Sequence, residues 1–168
     1  MKLYEFQGGR IFSEYGIPVP NSRLILPGDN LDSFSPPLVL KSQVLAGGRG
    51  KAGGIKAWDG SVDLKNIVLE LFHLKINNEP VKAILASENI KINREMYISL
   101  TFNRSKSTPV IIAGVSGGVD IENTAQKEAD KIFFSEFNSL LGISDFQIRQ
   151  LSKHLKIENY LDFKNMIM

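Results

Sequence analysis

The chain has 168 residues, a net charge of +2 and no cysteine, with 43% hydrophobic and 23% charged residues. This is the composition of an ordinary globular protein, either one domain or two small lobes sharing one chain. It excludes disulfides, thiolate metal sites and a cysteine nucleophile, and the balanced charge argues against a nucleic-acid partner.

No apolar run approaches the ~20 residues of a membrane span. The opening MKLYEFQGGR lacks the apolar centre of a signal peptide. Both features fit a cytoplasmic protein with no membrane partner. In chain order, Leu3–Tyr15 has the spacing of a helix, with Gly16 as its stop. The Gly8-Gly9 pair inside it costs about 1 kcal/mol per glycine relative to alanine, so packing must hold it. Ile17–Pro20 is stiff, extended chain. Arg23–Leu26 reads as a short strand, Pro27–Pro37 as a loop, and Leu38–Val44 as a buried strand that delivers Lys41.

Lys41–Gly54 reads KSQVLAGGRGKAGG, with five glycines and three cations in fourteen residues. A Walker loop fails twice, because Leu45 stands where its first glycine belongs and Ala52 where its hydroxyl belongs. The dinucleotide pattern G-x-G-x-x-G matches as a string at Gly48, Gly50 and Gly53, but it must open a helix to hold a pyrophosphate. Here Gly54–Gly60 alternates and is bounded by glycines, which reads as a strand. The loop therefore joins two antiparallel strands. The glycines alone fit a plain hairpin with a solvated basic tip as well as a flexible loop over a ligand.

Beyond it, Ser61 is read as the cap of a helix with apolar positions 64, 67, 68, 71 and 72, broken by Asn77-Asn78. Val81–Ser87 and Glu95–Phe102 read as strands, Asn103–Thr108 as a turn, and Pro109–Val115 as the returning strand. Gly117-Gly118 opens a polar loop. Phe133, Phe134 and Phe137 read as core residues, and His73 and His154 as lone histidines without a catalytic role. Ser144–Gln147 is a capping box starting a helix through Leu155, and Asn159–Met168 reads as a last, uncapped helical segment. The class is α/β (α+β), rich in antiparallel sheets with flanking helices.

With these pieces placed, MKLYEFQGGRIFSEYGIPVP (1–20), VLKSQVLAGGRGKAGGIK (39–56), NREMYISLTFNRS (93–105) and SGGVDIE (116–122) resemble, in order and spacing, the β-subunit family of succinate–CoA ligase in the ATP-grasp superfamily. The resemblance implies an ATP-grasp fold whose nucleotide-binding lobe is 17–95, with 1–16 and 96–168 forming an incomplete second lobe. It implies a role for Lys41 against the α- and β-phosphates of ATP or ADP, and close backbone approach to the polyphosphate at Gly48, Arg49 and Gly50. Glu95 resembles the family's nucleotide-contacting acid, and Glu88 a second acidic position of variable register. Pro20 falls where users of adenine nucleotides tend to carry proline. No catalytic residue and no metal ligand is assigned.

Departures from the family pattern are Leu45 for a common histidine, Ser116 for an acid, and a short segment before Leu38. Strings resembling E-I-N-P-L and D-G-K, which carry the family's Mg²⁺ ligands, do not occur. The resemblance thus implies a part of a β subunit, truncated before the C-terminal flavodoxin-like domain, with Mg²⁺ ligands expected beyond residue 168. Its implied partners are the rest of the β subunit and an α subunit that carries the phosphohistidine and the CoA site. The reaction implied for the whole complex is succinate + CoA + ATP giving succinyl-CoA + ADP + phosphate. Alternatives are a malate–CoA ligase or other NDP-forming acyl-CoA synthetase chain, and a non-catalytic nucleotide-binding or assembly module.

Overall fold

Strand β2 (Leu38–Ser42) is hydrogen-bonded on both sides, antiparallel to β3 (Ile55–Trp58) and to β6 (Ile84–Glu88). The computed structural model describes residues 2–115 and 132–168. The SGGVDIE piece, with Ser116 and Gly117-Gly118, lies outside the described residues. The chain divides into two compact units, Met1–Lys91 and Ile92–Met168. The sequence predicts a different grouping, 17–95 against 1–16 with 96–168. The geometric boundary instead follows Lys91, and residues 5–14 pack within the first unit.

In the first unit, helix α1 (Glu5–Glu14) leads through extended chain to β1 (Ser22–Ile25), and the sheet runs in the order β1-β6-β2-β3. Gly16, at φ +75°, ends α1 as predicted. The pairings Leu40↔Ala86, Ser42↔Ile84 and Ile25↔Ile84 put these residues on one face of the sheet. That face is covered by α2 (Leu64–Phe72), whose Leu64, Ile67, Val68 and Leu71 are buried with Leu40, Ile84 and Trp58. Each such side chain contributes about 1.5–3 kcal/mol of burial. The predicted cap of α2 is corrected: Asp63, not Ser61, accepts from the backbone N–H of Lys65. Ser61 instead folds onto Asp59, its hydroxyl and amide both donating to that carboxylate. Asn77-Asn78 does more than break the helix. Both residues take positive φ, 49° and 66°, and turn the two-residue strands β4 (Lys75–Ile76) and β5 (Glu79–Pro80) into a hairpin.

In the second unit, β7 (Tyr97–Asn103), β8 (Thr108–Gly114) and β9 (Ile132–Glu136) form an antiparallel sheet in that order. Strand β9 was not predicted, and β7 begins two residues after the expected Glu95. Helices α3 (Asp145–Leu155) and α4 (Tyr160–Ile167) follow, and among the described residues Ile111, Ala113, Ile148, Leu151, Leu155 and Phe163 form the buried cluster. The capping box at Ser144 and Gln147 forms as predicted. Phe133 and Phe137 join the core, but Phe134 is 55% exposed, because alternation along β9 turns it to the other face.

One carboxylate ties the two helices together. Asp145 accepts from Lys164 Nζ at 2.6 Å, from the Tyr160 hydroxyl at 2.7 Å and from Arg149 Nε at 2.7 Å. The hydrogen bonds from Lys164, Tyr160 and Arg149, in that order of weight, hold its carboxyl well below the usual carboxylate range. A carboxyl lowered by folding stabilises the native state fully above its unfolded value, about 3.9, and loses that contribution as pH falls further. Urea midpoints measured from pH 5 to pH 2 should therefore drop more steeply for the wild type than for Asp145→Asn. Equal slopes would remove this contact from the acid response.

Candidate functional site

Alternation along β2 decides where Lys41 points. Leu40 and Ser42 face α2, so Lys41 faces the other side, paired with Leu85 and Ile55. On that side Ser22, Leu24, Leu85 and Ser87 line an open cleft of about 1180 Å³, together with Lys41, Pro20 and residues of α1. A second cleft of about 1190 Å³ lies between the 25–34 segment and α2, and none of the predicted site residues lines it.

Glu5, in the first turn of α1, closes the cleft at the lysine. Lys41 Nζ donates to Glu5 Oε1 at 2.7 Å, and Arg49 Nη2 lies 2.8 Å from Glu5 Oε2. Oε2 is buried, with Arg49 as its charged neighbour. Arg49 also donates through Nη1 to the Ser42 carbonyl at 3.2 Å. Burial alone would push the Glu5 carboxyl up. The hydrogen bond and charge of Lys41, followed by the charge of Arg49, outweigh it and hold the carboxyl below its ordinary value. Two cations, one from a strand and one from the glycine loop, thus converge on one oxyanion.

The loop itself, residues 43–54, is pinned at both ends. Gln43 is buried, and its amide donates to the Ala83 carbonyl. The Leu45 amide donates to the Glu79 carboxylate at 3.0 and 3.1 Å, and Asn77 Nδ2 donates to the Gly47 carbonyl. So the small β4–β5 hairpin braces the loop from outside. At the far end Gly54 donates to the Arg49 carbonyl, and its own carbonyl accepts from Ser42 N–H, both at 2.8 Å.

The glycines then divide by cause. A Cβ on Gly54 would meet Ile76 Cδ1 at 2.7 Å and the Arg49 carbonyl at 3.1 Å, so a side chain there would force its neighbours to shift. Gly48 has φ +81°, a conformation other residues resist. Gly47 takes no such conformation and has nothing within 4 Å of the Cβ position, and Gly50 touches only Ile55 Cδ1 at 4.0 Å. Nothing among the described residues asks for glycine at those two positions. Open backbone beside paired cations is what a polyphosphate needs for close approach.

The structure brings together some of the predicted residues. Lys41 and Arg49 meet on Glu5, Gly48 and Gly50 flank Arg49, and Pro20 shares the cleft with Lys41. Glu88 does not join them. Its pairing with Leu38 puts it on the α2 side of the sheet, where it accepts from Asn21 Nδ2 at 3.1 Å. Glu95 is exposed and belongs to the second unit, before β7 and not within it. His73 ends α2, with Nδ1 2.7 Å from the Leu69 carbonyl oxygen, and His154 tilts against the Phe133 ring. Among the described residues no cluster of three or more His, Asp or Glu could hold a metal ion. Glu5 was not singled out from the sequence. Its one signal was membership of the 1–20 piece.

With that geometry described, comparison with known proteins adds a family. A family model described as an ATP-grasp domain matches residues 2–168. The chain is similar to a Methanocaldococcus jannaschii protein named succinate–CoA ligase (ADP-forming) subunit beta, 43% identical over 134 residues, covering 79% of this chain and 37% of that protein. The Geobacter sulfurreducens protein of the same name is 36% identical over 172 residues, covering 96% and 45%. The chain thus spans about two fifths of the length of these relatives. Among solved structures, the dinucleotide forming acetyl-coenzyme A synthetase 1 of Ca. Korarchaeum cryptofilum, in complex with coenzyme A, Ca-AMPCP and HgCl+, has a TM-score of 0.68 at 19% identity, covering 99% of this chain and 77% of that one. ATP citrate lyase from Methanothrix soehngenii, in complex with citrate and coenzyme A, has a TM-score of 0.62 at 17% identity, covering 96% and 43%. At these identities the likeness is one of fold.

The division among the glycines gives a paired prediction. Gly54→Ala should lower the unfolding free energy by about 1–3 kcal/mol through overpacking. Gly50→Ala should leave it unchanged or raise it by up to about 1 kcal/mol through unfolded-state entropy. Urea unfolding of the two variants checks both; equal destabilisation would contradict the distinction.

Proposed function

We propose a nucleotide-binding function on one premise: the chain belongs to the ATP-grasp domain family. Its first unit holds the polyphosphate of ATP or ADP with Lys41, Arg49 and the backbone of Gly48–Gly50. The observation that carries this reading is the convergence of Lys41 and Arg49 on one oxyanion, at 2.7 and 2.8 Å, beside a loop whose Gly47 and Gly50 leave the backbone open. The donor set fits the ligand: an ammonium acts as a compact point charge, and a guanidinium presents a planar fork to phosphate oxygens.

The role of these residues is charge neutralisation and positioning, not covalent chemistry. Bound ATP supplies the phosphoryl group. Lys41, fixed by β2, orients the polyphosphate from the sheet side, and Arg49 brings the loop to it. Pro20 lines the same cleft and belongs to the adenine side of the site. Glu95 is retained as the proposed nucleotide-contacting acid on the ground of the sequence resemblance. Glu88 ranks below it, since its register directs it away from Lys41.

The names of the curated relatives support a wider reading, in which this chain is part of the β subunit of an ADP-forming succinate–CoA ligase. The complex would convert succinate, CoA and ATP to succinyl-CoA, ADP and phosphate. It would act through a phosphohistidine on an α partner, with Mg²⁺ held by ligands outside this sequence. A cytoplasmic place belongs to the same proposal; no helix among the described residues is long and apolar enough to cross a membrane.

The test is a titration of the 168-residue chain with ATP, ADP and GTP, with and without Mg²⁺, followed by calorimetry and by thermal shift. Adenine nucleotide should bind, and Lys41→Ala should weaken it about tenfold to a hundredfold, the loss of a charge-assisted hydrogen bond. Binding that is unaffected by the substitution, or absent throughout, would overturn the reading.

A further inference from the structure

Glu5 is an anion already seated where a phosphate would be expected. It touches both proposed phosphate-binding cations, Lys41 at 2.7 Å and Arg49 at 2.8 Å, and it lines the same cleft as Lys41. A polyanion entering that cleft must meet the carboxylate as well as the ammonium. Like charges at such range repel, and one ammonium cannot serve two anions fully. The three side chains are 25% to 32% exposed, so the pair is screened only in part and can still be exchanged.

We propose that Glu5 is an internal stand-in for the nucleotide's phosphate: it competes with nucleotide for Lys41 and Arg49, and it latches the glycine loop to α1 until nucleotide displaces it. This inference rests on the nucleotide-binding reading above. The contact crosses from α1 to both β2 and the loop, so its release unties Arg49 from α1 while the bond from Arg49 Nη1 to the Ser42 carbonyl can persist. The ends of the loop stay where Gln43, Glu79 and Gly54 hold them. Glu5 is therefore a positioning residue that sets affinity by occupying the site, and it makes no contact with the reacting atoms.

The competition gives a direction that a merely structural role would not. Glu5→Gln removes the charge at nearly constant shape, and ADP should then bind roughly threefold more tightly, the scale of a partly exposed ion pair. Glu5→Ala, which favours the helix and leaves no competing group, should move affinity the same way. Glu70→Gln makes the same change of net charge on α2, where Glu70 pairs with Lys56, and should leave affinity as in the wild type. Calorimetric titration with ADP, after each variant is shown to melt cooperatively, reads all three. Unchanged or weaker binding in both Glu5 variants, while Lys41→Ala weakens binding as expected above, would overturn the competition and leave the nucleotide site standing. Absence of ADP binding in the wild type and every variant would overturn both.

Discussion

The arrangement depends on β2 being bonded along both edges. A strand held by β3 on one side and β6 on the other cannot shift its end without breaking two ladders. Lys41 therefore emerges from a fixed point, and the buried Gln43 extends that rigidity one step past the strand. The loop begins and ends on the same frame, because Gly54 bonds both Ser42 and Arg49. Between those anchors Val44 and Ala46 pack on the core, and polar contacts from Glu79, Asn77 and Glu5 restrain the stretch around them. A fixed cation beside a loop held by exchangeable contacts is an economical way to admit a polyanion and then close on it.

The two faces of the first sheet divide the work. One face carries the apolar residues that pack under α2 and provide the unit's burial free energy. The other carries Lys41, Ser22, Ser87 and the cleft beneath α1, a helix with no fully buried residue. Such a helix gains little from burial. Its attachment includes the Glu5 ion pairs and the Phe6 amide bonded to Gln43. Apolar burial and the proposed binding cleft thus fall on opposite sides of the same strands. At that contact two cations face one carboxylate, while the lining of the cleft itself is balanced, Lys41 and Arg10 against Glu5 and Glu14.

Much of this was legible in the sequence because it is local. The alternation of Ile55–Trp58 between glycines ruled out a helix after the loop, and the structure has β3 there, paired with β2. The box at Ser144 and the glycine stop at Gly16 are short-range signals of the same kind. What was missed is non-local or too short to register. Strands of two residues, Lys75–Ile76 and Glu79–Pro80, leave no periodic trace. Choosing between Ser61 and Asp63 as the cap needed the competing bond from Ser61 to Asp59. Glu5 and Lys41 are 36 positions apart, and no spacing rule joins them. Glu88 matches a second acidic position of the resemblance, ranked below Glu95, and strand parity puts it on the opposite face from Lys41 once the register with Leu38 is known.

The loop backbone, with Lys41 and Arg49, is the proposed seat of a polyphosphate. The most direct measurement is a ¹H–¹⁵N correlation spectrum of the uniformly labelled chain, followed through an ADP titration. The account predicts that the largest shifts fall on the amides of Gly47 to Lys51 and on residues next to Lys41, with the amides along α2 unmoved. Saturating shifts confined to the cleft beside α2, with the glycine amides silent, would contradict it.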